Sequence, residues 1–171
     1  SHLALIGESQ SLRVANAQGK FIYDASGTLY SATIEDRDYF LRNQSNSKGE
    51  LVISEPLFAR ITNNWVVTLS RPITDDNRKV AVLIQADVRA EYFQNTYASL
   101  DLGSAHSVTL FDEKLRMLAR FPAKDEQLGK SIESPFLQDF VKNADTEKTY
   151  TTQSAVDGIE RYYTTRKVGE Y

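Results

Sequence analysis

Few residues in this chain could carry catalysis. Of 171 residues two are histidine and none is cysteine. A thiol nucleophile, a disulfide and every thiolate-ligated metal site are therefore excluded. His2 is far from His106 and belongs, with Ser1, to a pair that reads as a cloning remnant. No acidic cluster has calcium-loop spacing, and no G-x-S-x-G, phosphate loop or dinucleotide fingerprint occurs. Asp36 and Asp38 suggest an acid and base, but at i, i+2 on a helix they point to different faces. Asn43-Gln44-Ser45 matches a glycosylation acceptor, a tripeptide common by chance. No cofactor is expected. The remaining chemistry is recognition. Asp87 interrupts an apolar strand near its end, where it can contact a ligand or cap the helix that follows. Trp65, the only tryptophan, opens a strand after Asn63-Asn64. Arg71 reads as a solvated strand end.

Composition agrees with a binding role. Hydrophobic residues are 41% and charged residues 25%, which suits a folded globular chain. The net charge is −3, from 20 basic and 23 acidic residues, with no basic run, so nucleic acid and anionic membrane are not expected partners. The longest apolar stretch, Val80–Ile84, is far short of the roughly 18 residues that cross a bilayer. The closing Val168–Tyr171 follows directly on a strand-like run, so the chain is expected to be a piece of a longer protein.

Periodicity supplies the elements. Leu12–Asn16 and Phe21–Ala25 flank a Gly19 turn as a hairpin. Asp36–Asn43 fits a short helix capped by Asp36. Leu51–Ile53 is a short strand. Trp65–Arg71 and Val80–Val88 are long strands around Asp75-Asp76-Asn77. If Thr74 pairs with Arg78, Trp65 lies opposite Asp87, and Val66, Thr68 and Ser70 share a face with Val82, Ile84 and Ala86. Arg89–Leu100 is helical, with Tyr92, Phe93 and Tyr97 as core candidates. A second hairpin, Val108–Phe111 with Arg116–Phe121, precedes an amphipathic helix at Pro135–Asn143. Lys148–Ser154 and Ile159–Lys167 close a last hairpin at Asp157-Gly158. The fold class is α+β, two antiparallel units in tandem.

The ordered set DRDYF (Asp36–Phe40), GELVISEP (Gly49–Pro56), WVVTLSRP (Trp65–Pro72) and VAVLIQADV (Val80–Val88) resembles double Cache sensor domains, also called PDC or tandem PAS-like domains. Tyr92-Phe93, Tyr97–Gly103 and LGKSI (Leu128–Ile132) look most like versions preceding GGDEF diguanylate cyclase domains. The resemblance implies two PAS-like modules: a membrane-distal ligand-binding one over residues 1–102 and a smaller membrane-proximal one over 103–171, truncated at its C-terminus. The N-terminal helix is expected to be largely missing, leaving a monomer or weak dimer here and a possible homodimer in the full-length protein. It also implies a periplasmic location, membrane contact only through outside segments, a small-molecule ligand and a cytoplasmic output. That output is a diguanylate cyclase, with a histidine kinase or chemoreceptor as alternatives. A ligand-free relay domain that senses a partner protein is a further alternative.

In amino-acid-binding members of that family, an Arg-x-Trp-Tyr stretch and an Asp near the end of the last strand hold the ligand. Arg37, Tyr39, Phe40 and Asp87 fall at those places. A guanidinium grips a carboxylate with paired hydrogen bonds, an Asp takes an ammonium, and an aromatic ring closes the apolar side. Phe40 lacks the hydroxyl of the pattern, which leaves a carboxylate or another small polar ligand as the expectation. Arg60, Trp65 and Ser70 complete the candidate set. Each has a plainer role: Arg37 pairing with Glu35, Asp36 or Asp38 on the helix surface, Arg60 exposed, Trp65 packed.

Overall fold

Alternating sequence builds one sheet first. In the computed structural model, which describes residues 10–103 and 106–169, β1 (Gln10–Asn16) and β2 (Phe21–Asp24) form the expected hairpin. Asn16 Oδ1 accepts the backbone N–H groups of Gln18 and Lys20, and Gly19 adopts φ +77° to close the turn. The chain continues through α1 (Asp38–Gln44), β3 (Val52–Ile53), β4 (Leu57–Phe58), β5 (Trp65–Thr74), β6 (Val80–Arg89) and α2 (Ala90–Ala98). The strands make an antiparallel sheet in the order β2-β1-β6-β5-β3, with β4 also on β5. The Ser1-His2 pair lies outside the described residues.

The register differs from the sequence expectation. Thr68, not Trp65, lies opposite Asp87, Ser70 opposite Gln85, and Thr74 opposite Val80, with an irregularity at Ile73/Thr74. A shift by an odd number of residues exchanges faces. Thr68 and Ser70 therefore share a face with Gln85 and Asp87, and that face is the buried one. The fully apolar set Val82, Ile84, Ala86 and Val88 lies on the opposite, partly exposed face. The two helix caps also differ from expectation. Arg37, not Asp36, occupies the cap position of α1, and Arg89 that of α2, neither with a side-chain cap bond.

The second half contains β7 (Val108–Phe111) with β8 (Met117–Phe121), a single 3-10 turn at Asp125–Gln127, α3 (Pro135–Lys142), and β9 (Glu147–Gln153) with β10 (Glu160–Arg166). Ser134 caps α3, accepting from Leu137 N–H, and the helix buries Leu137 and Phe140. Its two hairpins are separate two-stranded sheets.

One core sits under the first sheet: Ala15, Phe21, Ile34, Tyr39, Phe40 and Leu83. A second gathers Ala90, Met117 and Leu128, with Trp65, Phe111 and Val156 against it, and so joins the halves. At that seam a Cβ on Gly129 would lie 2.4 Å from the Trp65 ring. Glu55, between β3 and β4, pairs with Lys114 at 2.9 Å and with Arg116.

Candidate functional site

The buried face of the first sheet is apolar at one end and polar at the other. Phe21, Ala15 and Leu83 are neighbours in the ladder, and the next rows hold Asp24, Arg13, Gln85 and Ser70, then Ser11, Asp87 and Thr68. Over this floor lie α1 and the loop that brings Ala32–Ile34. A cavity of about 30 Å³ is left between them, lined by Arg13, Arg37, Tyr39, Arg60, Thr68 and Asp87 among others.

Arg13 dominates the floor. It is 4% exposed, donating from Nε to Asp24 at 2.5 Å and from Nη1 to Asp87 at 2.6 Å. Phe21 lies 5.8 Å from its guanidinium carbon. Asp87 is saturated. Its Oδ1 accepts from Thr68 at 2.7 Å and from Gln85 Nε2 at 3.4 Å, and its Oδ2 accepts from Arg13 and from Ser11 Oγ at 3.2 Å. Burial works against the Asp24 carboxylate, yet hydrogen bonds from Ser26 and Arg13 win and hold its pKa below the ordinary value. Tyr39 donates to Gln85 Oε1 at 3.1 Å. Burial, and secondarily the Asp87 charge, push its phenol pKa upward, so it stays a neutral donor.

The rim holds two more guanidiniums. Arg60 forks onto Asp36, with Nη1 at 2.8 Å, and also reaches the Thr33 carbonyl. The Arg60 hydrogen bond keeps the exposed Asp36 at a pKa of about 2. Arg37 pairs with none of the three carboxylates beside it in sequence. Asp36 goes to Arg60 and Asp38 to Arg42. Among the described residues Arg37 makes no ion pair, and its one side-chain hydrogen bond goes to the Phe58 carbonyl at 3.1 Å.

The cavity thus brings together Arg37, Tyr39, Arg60 and Asp87 of the seven sequence candidates. Phe40 is packed in the first core, and Trp65 at the seam against Gly129, edge-on to Phe58. Ser70 accepts from Asn43 Nδ2 at 2.9 Å and donates to the Val52 carbonyl, which fixes α1 to the sheet. Asp87 is not the cap of α2. Sequence reasoning missed Arg13, Asp24, Thr68 and Gln85. A signal for the first two was present: they lie symmetrically about the Gln18–Gly19 turn, where opposite charges pair across a hairpin.

A wider cleft of about 230 Å³ runs between His106-Ser107 and Arg161–Thr164. It is an opening at the edges of β7 and β10, with Tyr162 83% exposed, and it has no buried charge cluster like the first. Among the described residues no His, Cys, Asp and Glu group could hold a metal ion. Among them, too, no helix is long and apolar enough to cross a membrane.

Comparison with known proteins agrees with this architecture. Residues 90–171 match the dCache_1-like family, described as a histidine kinase sensor domain. The extracellular domain of a protein described as the histidine kinase rpHK1S-Z16 superposes with a TM-score of 0.80 at 25% identity, over 95% of this chain and 67% of that one. The sensory domain of the Campylobacter jejuni chemoreceptor Tlp3, solved with isoleucine, gives 0.55 at 20% identity over 89% of this chain and 59% of that one. The ligand-binding domain of the Pseudomonas fluorescens chemoreceptor CtaA, solved with L-valine, gives 0.56 at 15% identity over 94% and 73%. No curated protein sequence matches the chain. The fold is that of these sensor-domain structures, α+β with an antiparallel sheet.

Proposed function

We propose that this chain is the extracytoplasmic sensor of a transmembrane signalling protein, and that it detects a small carboxylate-bearing molecule in the cavity of its first sheet. The observation that carries the reading is Arg37. It lines, without an ion-pair partner among the described residues, a cavity whose wall holds three arginines and one aspartate. A carboxylate there gains paired charge-assisted hydrogen bonds. Residues 1–102 form the ligand-binding module and 103–171 the relay module, with the state of the cavity passing along β6 into α2 and its contacts with β8. The family match over residues 90–171 favours a histidine kinase output. The comparisons lend nothing to a diguanylate cyclase.

A thermal-shift screen of small carboxylates tests this. A ligand at 100 times its Kd stabilises a fold by about 2.7 kcal/mol. Arg37→Ala should weaken binding by about 1.5–3 kcal/mol, the scale of a charge-assisted bond, and leave the unliganded melting temperature unchanged. Equal binding by Arg37→Ala rejects the assignment. The small cavity, about 30 Å³, favours a second reading, a relay domain that senses a partner protein; in that case no small molecule raises the melting temperature.

A further inference from the structure

An α-amino acid presents a carboxylate and an ammonium about one carbon apart, so a site that holds it needs a free anion beside its guanidinium. Among the described residues Asp87 is the only carboxylate lining this cavity. A carboxylate offers about four lone-pair positions, and Asp87 already accepts from Arg13, Ser11, Thr68 and Gln85. Arg13 is the decisive partner, because it comes from the protein itself and is locked from behind by Asp24 at 2.5 Å. An ammonium brought to Asp87 would meet a guanidinium already in that position. It would either go unpaired in a buried site or displace a charge that is itself 4% exposed. The remaining guanidinium nitrogen, Arg13 Nη2, makes no hydrogen bond among the described residues, and the residue lines the cavity. It is a further donor for an anion in a lining that also holds Arg37. The space, about 30 Å³, is roughly that of two water molecules, which favours the smallest anions.

We propose, resting on the carboxylate reading above, that the cavity takes small organic acids without an ammonium group and rejects amino acids, because Arg13 is a built-in cation occupying the seat at Asp87. Discrimination here comes from a repulsive element set against the wrong ligand as much as from attraction for the right one.

Propionate and alanine share a carbon skeleton and differ by the ammonium, so calorimetric titration of the intact chain with these two is the test. Acetate with glycine serves as a shorter pair, and propylamine as an ammonium-only control. Propionate or acetate should bind more tightly than its amino counterpart by at least about tenfold, and propylamine should not bind. Alanine binding as tightly as propionate would overturn the inference while leaving the carboxylate site standing. If none of the four carboxylates binds at millimolar concentration, the carboxylate reading itself fails. Arg13→Met combined with Asp24→Asn removes one charge of each sign and frees Asp87. That variant should shift the propionate-to-alanine preference toward alanine by about tenfold or more, with its fold checked by circular dichroism. An unchanged preference in the folded double variant removes Arg13 from the explanation.

Discussion

At the scale of the residue, Asp87 shows how one side chain's role depends on a partner distant in sequence. Beside Arg89 it could cap a helix. Opposite Ser11 and Thr68, with Arg13 at 2.6 Å, it is half of a buried ion pair. The two roles differ in energy. Losing a cap costs about 1 kcal/mol, whereas removing one partner of a buried pair costs about 3–5 kcal/mol. Asp87→Ala should therefore lower the melting temperature by on the order of ten degrees in a chain of this length, and a loss of only a few degrees would show that Arg13 finds another partner. Arg37, Tyr39 and Asp87 are candidates from sequence because each is an anomaly or fits an ordered motif, and they line the cavity together with Arg60, which keeps its expected exposure. Arg13 is not a candidate, because Leu12 and Val14 beside it have the pattern of inward residues, and its symmetry with Asp24 about the turn is the one sign against that pattern. The inward residues are instead Ser11, Arg13 and Ala15, as the ladder shows.

At the scale of the element, strands and helices were legible from periodicity to within a few residues, since hydrophobic spacing survives without tertiary context. Register was not. The irregularity at Ile73/Thr74 shifts every later pair and turns the polar side chains of β5 toward the core, and no local preference at Asp75-Asp76-Asn77 announces it. The β1–β2 turn carries its own test. Ile34 N–H donates to the Gly19 carbonyl, and a Cβ on Gly19 would come within 2.8 Å of the Glu35 backbone nitrogen. That contact anchors the loop that lines the cavity. Gly27 has a similar positive φ, 81°, with nothing within 4 Å of the same position. Gly27→Ala pays only for the left-handed backbone, about 1–2 kcal/mol. Gly19→Ala should cost about 1–3 kcal/mol more, the scale of overpacking, and should weaken carboxylate binding as well. Equal losses in denaturant titrations would mean that the loop yields freely.

At the scale of the whole molecule, carboxylates paired with arginines recur in both halves. Asp24 is held down by Ser26 and Arg13 against its burial, Asp36 by Arg60, Glu55 by Arg116 and Lys114, and Asp157 by Arg161, with Arg120 adding to it. A carboxyl group whose folded pKa lies below its unfolded value contributes stability above the unfolded value and loses it as pH falls through the folded one. With ordinary carboxylates near 4 and Asp36 at about 2, the melting temperature should hold from neutral pH to about pH 4 and drop between there and about pH 2. A fall already complete by pH 5 would assign the acid response to other groups. The seam between the halves has a different consequence. Trp65 is the only tryptophan, and its ring rests on the bare backbone of Gly129. One indole on a strand of the first sheet therefore touches the other half directly. Its emission is an optical gauge, built into the native sequence, of how closely the two halves are pressed together.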